Sequence, residues 1–334
     1  MRSYSSIEFG RRSRAAYDRA VAARLNRLGH KPSGVPDIAV VYVYPMGGGA
    51  YDEAARRFVA TYREFPPLAD HTLHVVLNGE VSPGDDSAAV FAGLPCEFHT
   101  HDDSGWDIGA FQMAARTIEC DVLVCLGGNT YFRRAGWLER MSAAFRLHGN
   151  GLYGASASYE VTPHIRTTGF WCSPELIRAY PIDVCTYEDR YDFEHGDLSI
   201  TRLAEHLGLG CWMVTWDGVY AQDEWRTPPN IFWRGDQSGC LVYDRLHDLY
   251  GAERLAGPLL DARADGWGVE AGARGLGRTK SEWLAQDDSD SARAEELLTV
   301  SGSWTFLARE LLKSLEESAG DEASRIRIQK EFVA

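Results

Sequence analysis

The sequence predicts an α/β fold built on a mixed, mostly parallel sheet flanked by helices. Short apolar strands alternate with helical stretches through the first half of the chain. The strands are apolar along their length, the mark of strands covered on both faces. Glycines stand where strands run into helices, as in YPMGGGAYDEA and VLVCLGGNTYF.

In chain order, residues 12–29 have helical spacing, with Tyr17, Val21, Leu25 and Leu28 on one stripe. The loop KPSGVP precedes the strand DIAVVYVYP. Strand 37–45 then leads to helix 50–64, strand 72–78 to a polar loop at 79–87, and strand 96–101 to helix 107–118. Strand 121–126 and helix 135–147 complete the regular part. After residue 150 the expected elements are strands near 151–157 and 211–216 and a helix at 197–207. Residues 256–290, rich in Gly, Ala and Asp, read as loops, and Leu297, Leu298, Trp304, Leu307, Leu311 and Leu315 suit amphipathic helix. The expected organisation is a helical extension at 1–36, an α/β domain at 37–255, and a loop and helical region at 256–334.

The chain has 334 residues and a formal net charge of −14, so it has no global basic field for nucleic acid or anionic membranes. No apolar run reaches the roughly 20 residues of a membrane span, and the basic N-terminus lacks the apolar stretch of a secretory signal. Seven scattered cysteines, never spaced as CxxC, fit a reducing compartment. A cytoplasmic protein is expected.

Two motifs fail their tests. The glycine loop YPMGGGA has Asp52 where a dinucleotide fingerprint needs its third glycine, and no Gly-Lys-Ser/Thr follows. In HTHDDSG, His99, His101 and Asp103 imitate a binuclear zinc hydrolase set, but Ser104 replaces a histidine, and His148, His164 and His195 supply no second recognisable cluster. In FEHGDLSITRLAEHLGL, Glu194, His195 and Asp197 crowd the approach to a helix. Such a cluster suits a general base, and an acid there also suits a helix cap.

These segments together resemble the nucleotide-sugar glycosyltransferases of the GT-A fold, especially the inverting enzymes of bacterial polysaccharide assembly. The resemblance covers roughly residues 37–222. AVVYVYP is similar to the family's first strand and its nucleotide-contacting turn at Pro45. VVLNGE, with Asn78 and Glu80, resembles the acidic motif beside the base. DDSGWDIGAFQ, with Asp103, Gly105, Asp107 and Gln112, is similar to the segment lining the nucleotide pocket, and GWDIGAFQ also resembles a stretch of rhamnan-assembly transferases. VLVCLGGNTYFRRAGWLERM resembles the strand, Asp-x-Asp motif and following helix, with Gly127, Gly128 and Asn129 where the metal carboxylates stand.

Several expectations follow from the resemblance. The chain transfers a hexosyl or deoxyhexosyl group from a nucleoside-diphosphate sugar to a glycan, lipid-linked or other hydroxyl acceptor. No cofactor is required and no metal site is expected, since residues 127–129 carry no carboxylate; the alternative is a divalent cation held by Asp102 and Asp103. Arg133, beside Arg134, then meets the diphosphate. FEHGDLSITRLAEHLGL resembles the family's catalytic-base segment, which makes Asp197, Glu194 and His195 the candidates for the base. Trp171, Trp225 and Trp233 suit a sugar face or the core. Two other readings stand beside this one: a non-catalytic nucleotide- or glycan-binding module, and a zinc hydrolase using His99, His101 and Asp103.

Overall fold

The computed structural model describes residues 34–80, 87–159, 162–196, 198–226 and 237–251. The expected helices at 12–29 and beyond residue 290, Asp197 and Trp233 lie outside the described residues. The chain divides into two compact units. The first contains the described residues up to Arg245 apart from Tyr159, and the second contains Tyr159 and the residues from Leu246.

The strands are β1 (Ile38–Pro45), β2 (Thr72–Asn78), β3 (Cys96–His101), β4 (Val122–Leu126), β5 (Gly151–Gly154), β6 (Ala157–Ser158), β7 (His164–Ile165), β8 (Gly169–Cys172), β9 (Gly210–Val214) and β10 (Val219–Ala221). The helices of the first unit are α1 (Ala50–Glu64), α2 (Trp106–Thr117), α3 (Trp137–His148), α4 (Pro174–Arg178), α5 (Tyr187–Glu194) and α6 (Ile200–His206). In the second unit lies almost all of α7 (Arg245–Gly251).

Eight strands form one sheet in the order β10-β9-β5-β8-β4-β1-β2-β3, and β6 and β7 form a separate antiparallel pair. The contacts β1–β2, β1–β4, β2–β3 and β5–β9 are parallel, and β8 and β10 run against their neighbours. This is the mixed, mostly parallel, helix-flanked sheet the sequence predicts.

Residues 38–44 of β1 are at most 2% exposed, which explains their unbroken apolar run. Tyr42 is tolerated there because its ring stacks on Phe58 of α1 at 3.9 Å and its hydroxyl donates to the Gly128 carbonyl at 2.7 Å. Helix α1 contributes Ala55, Phe58 and Val59 to the same core. Its neighbour α3 begins where the Gly136 and Glu139 amides donate to the carbonyls of Pro66 and Pro67.

The sheet positions the site. Strands β2 and β3 lie on one side of β1 and β4 on the other, so the chain reverses its winding between β1 and β4. Ligands of open α/β sheets bind at such a point, outside the carboxyl ends of the strands. Pro45, Asn78 and His101 stand in register at those ends.

Candidate active site at the carboxyl ends of the strands

The buried Asn78 side chain joins two strand ends. Its amide nitrogen donates to Asp103, and its oxygen pairs with His101 Nδ1 at 2.7 Å. Burial is the main influence that raises the Asp103 carboxyl pKa, with Asp107 and Asp102 adding to it and His101 and Asn78 opposing it. Glu80 is exposed just beyond β2. The turn from β3 into α2 is left-handed at Asp103 (φ 66°), Gly105 (φ 75°) and Trp106 (φ 54°). Asp tolerates that region, but Trp does so only under strain. Gly105 has no room for a side chain, because a Cβ would strike the Val184 carbonyl. Trp106 is 42% exposed with its ring edge-on to Tyr187 at 6.2 Å. Trp171 and Trp225, by contrast, are fully buried core residues.

The two glycines after β4 have different reasons to be glycine. A Cβ on Gly128 would lie 2.5 Å from Pro45 Cδ and 3.0 Å from the Val43 carbonyl oxygen, so β1 excludes a side chain. A Cβ on Gly127 would meet only ordinary contacts, 3.6 Å from Asp107 Oδ2 and 3.8 Å from the Thr168 oxygen. Asn129 is exposed. Asp107 is therefore the carboxylate beside the glycine pair, and Arg190 Nε of α5 pairs with it at 3.2 Å.

Arg133 and Arg134 are held by aromatic rings. The Arg133 guanidinium donates to the Tyr131 hydroxyl at 2.7 Å and lies 4.3 Å from the centre of the Tyr243 ring. The Arg134 guanidinium lies 4.3 Å from that of Trp216.

Glu194 ends α5 and His195 caps it. Next to them stands His164 of β7, 31 residues earlier in the chain. The three ligand atoms lie within 4.8 Å of one another. The Thr162 carbonyl can only accept, so His164 Nδ1 at 2.6 Å carries a proton, and while the ring is neutral its Nε2 is an acceptor. His195 Nδ1, 3.1 Å from that Nε2, must then donate. This leaves His195 Nε2 facing Glu194 Oε2 at 3.3 Å, a pair that needs a proton or a metal ion between its members. The side chains of Glu194 and His195 are 13% and 20% exposed, within reach of a solute.

Burial alone would push the Glu194 carboxyl pKa up. His195, His164, Arg190 and Arg166 outweigh it and hold the group well below the usual carboxylate range. Glu194 Oε1 also accepts the Thr167 amide at 3.0 Å. The helix cap considered for Asp197 is instead Ser199, whose hydroxyl accepts the Arg202 amide at 3.2 Å.

The expectation of a site with no metal and no cofactor is overturned. Among the described residues, two His/Glu/His clusters are poised to chelate a metal ion, His164–Glu194–His195 here and His74–Glu97–His99 elsewhere on the sheet. Two imidazoles and a carboxylate are a competent donor set for a divalent cation. His164 had no signal in the sequence, because the β6–β7 hairpin and the end of α5 create its contact and no local spacing records it. The hydrolase set His99, His101 and Asp103 is divided, since His99 pairs with His74 while His101 and Asp103 pair with Asn78.

No protein-family model and no curated protein sequence matches this chain. Similar solved structures include HddC from Yersinia pseudotuberculosis, at 14% identity and TM-score 0.33, covering 45% of this chain and 83% of that one. Mouse xyloside xylosyltransferase 1 is 10% identical with TM-score 0.35, covering 52% of this chain and 82% of its own. The galactosyltransferase LgtC, solved with donor and acceptor sugar analogs, is 12% identical with TM-score 0.34, covering 48% and 68% respectively. Likenesses this distant carry no argument about activity.

Proposed function

We propose that this chain is a glycosyltransferase of GT-A type, which moves a sugar from a nucleoside diphosphate to a hydroxyl acceptor with inversion. One juxtaposition carries the reading. The Thr167 amide binds Glu194, while the carbonyl of the next residue, Thr168, accepts the Gly127 amide at 3.1 Å. The charged cluster is thus fastened to the turn after β4, at the switch point where open sheets take ligands.

Asn78, Asp103 and the turn at Gly127–Asn129 frame the donor, a nucleoside-diphosphate hexose or deoxyhexose. His164, Glu194 and His195 would hold a divalent cation, which supplies positive charge to the diphosphate when bound. Arg190 and Arg166 add permanent positive charge nearby. A carboxylate held strongly ionised, with one oxygen accepting the Thr167 amide and the other facing His195, is a weak base, so Glu194 anchors charge. The acceptor proton goes to Asp197, assigned from its place in the segment EHGD. Loss of that proton readies the acceptor oxygen to displace the diphosphate in one in-line step.

Nucleoside-diphosphate release from a panel of nucleoside-diphosphate sugars tests the proposal. Asp197→Asn is expected to lose about 10²–10⁴-fold in turnover while keeping nucleotide affinity. A protein that turns over no donor with any acceptor or cation contradicts the assignment.

A further inference from the structure

A second ligand set lies on β2 and β3, apart from the Glu194 cluster. His74 on β2 and Glu97 and His99 on the edge strand β3 bring three ligand atoms within 4.8 Å of one another. The parallel register explains the convergence. His74 pairs with Glu97 and Val76 with His99, so all three side chains share one sheet face. His74 lies four positions before Asn78 on β2, about 13 Å of strand.

The distances suit a shared ion. His74 Nδ1 is 3.0 Å from His99 Nε2 and 3.5 Å from Glu97 Oε2. Two ligands of one tetrahedral zinc, each about 2.0–2.1 Å from the metal, stand about 3.3–3.4 Å apart. The His74 side chain is 6% exposed and the Glu97 side chain 65%, so the group has a fixed inner member and an outer one open to solvent. The cluster faces a cleft of about 270 Å³ that Asp37 and Glu119 also line, which adds negative charge.

We propose that His74, Glu97 and His99 bind a divalent cation of the zinc class, separate from the catalytic cluster. Two imidazoles and one carboxylate select zinc, cobalt or nickel over magnesium or calcium, which favour oxygen ligands. The ion clips β3 to β2. Among the described strands β3 pairs with β2 alone, and its far end carries His101 and leads to Asp103, both bonded to Asn78. Bound metal therefore secures the edge on which the donor-side turn is mounted.

The test is calorimetric titration of the metal-free full chain with Zn²⁺, for the parent, His99→Ala and Glu97→Gln. His99→Ala is expected to bind one equivalent fewer than the parent. Glu97→Gln, an exposed change that leaves the fold intact, is expected to weaken the same equivalent by at least about 10-fold. Saturating zinc should raise the parent Tm by about 5 °C more than that of His99→Ala. His195→Ala, which disables the other cluster, should leave this equivalent in place, so the two sites succeed or fail separately. Equal stoichiometry in the parent and His99→Ala overturns the proposal. Should His99→Ala not fold, unchanged zinc affinity in Glu97→Gln overturns it equally.

Discussion

Glu194 and Thr167 are joined by a hydrogen bond of 3.0 Å, from the buried Thr167 amide to a carboxylate oxygen. The bond ties the end of α5 to the segment that holds the turn after β4. Glu194→Ala removes the acceptor and strands the amide, so it should destabilise the protein by about 1–3 kcal/mol. Glu194→Gln keeps an oxygen at that place and should cost less. Urea denaturation of the two variants checks the order, and equal loss in both would show that the charge, rather than this bond, sets the cost.

The glycine pair should respond unequally. Gly128→Ala forces a methyl against Pro45 and the Val43 carbonyl, and overpacking of this kind costs about 1–3 kcal/mol. Gly127→Ala meets only van der Waals neighbours and should stay within about 1 kcal/mol of the parent. Denaturation midpoints at a common slope are the measurement.

Stability should fall on mild acidification, partly through His71. Its Nδ1 donates to the Ala69 carbonyl at 2.7 Å, and its Nε2 pairs with the Tyr62 hydroxyl. Burial lowers the His71 pKa, although the Ala69 carbonyl and Asp70 pull it upward. A histidine with a lowered folded pKa contributes fully above its unfolded value of about 6.5 and loses that contribution as pH falls below it. Tm should therefore drop between about pH 7 and pH 5. His71→Gln should reduce the slope, and a slope unchanged by the substitution would place the linkage elsewhere.

Strands β1 and β4 were legible in the sequence because burial on both faces makes each a continuous apolar run. IAVVYVYP and VLVCL end within a residue of expectation. Helix α5 was harder to read, since its only buried residue is Phe193 and it has no apolar stripe, although the Thr186–Asp189 capping box was readable. Gly127–Gly128 was recognised as the wrong residue pair for metal, but the steric reason for Gly128 needed Pro45 beside it. The metal-competent groups escaped because each joins residues that only tertiary structure brings together, His164 with His195 and His74 with His99.

The central claim is that the cluster at Glu194 serves a nucleotide site at the carboxyl ends of the strands. Its most direct test is nucleoside-diphosphate affinity by calorimetry, with EDTA and with Mn²⁺, for the parent and Glu194→Gln. Mn²⁺ is expected to strengthen binding to the parent by at least about tenfold, or 1.4 kcal/mol. Folded Glu194→Gln is expected to lose this gain. No nucleotide binding by the parent, or the same Mn²⁺ response in both proteins, would contradict the claim.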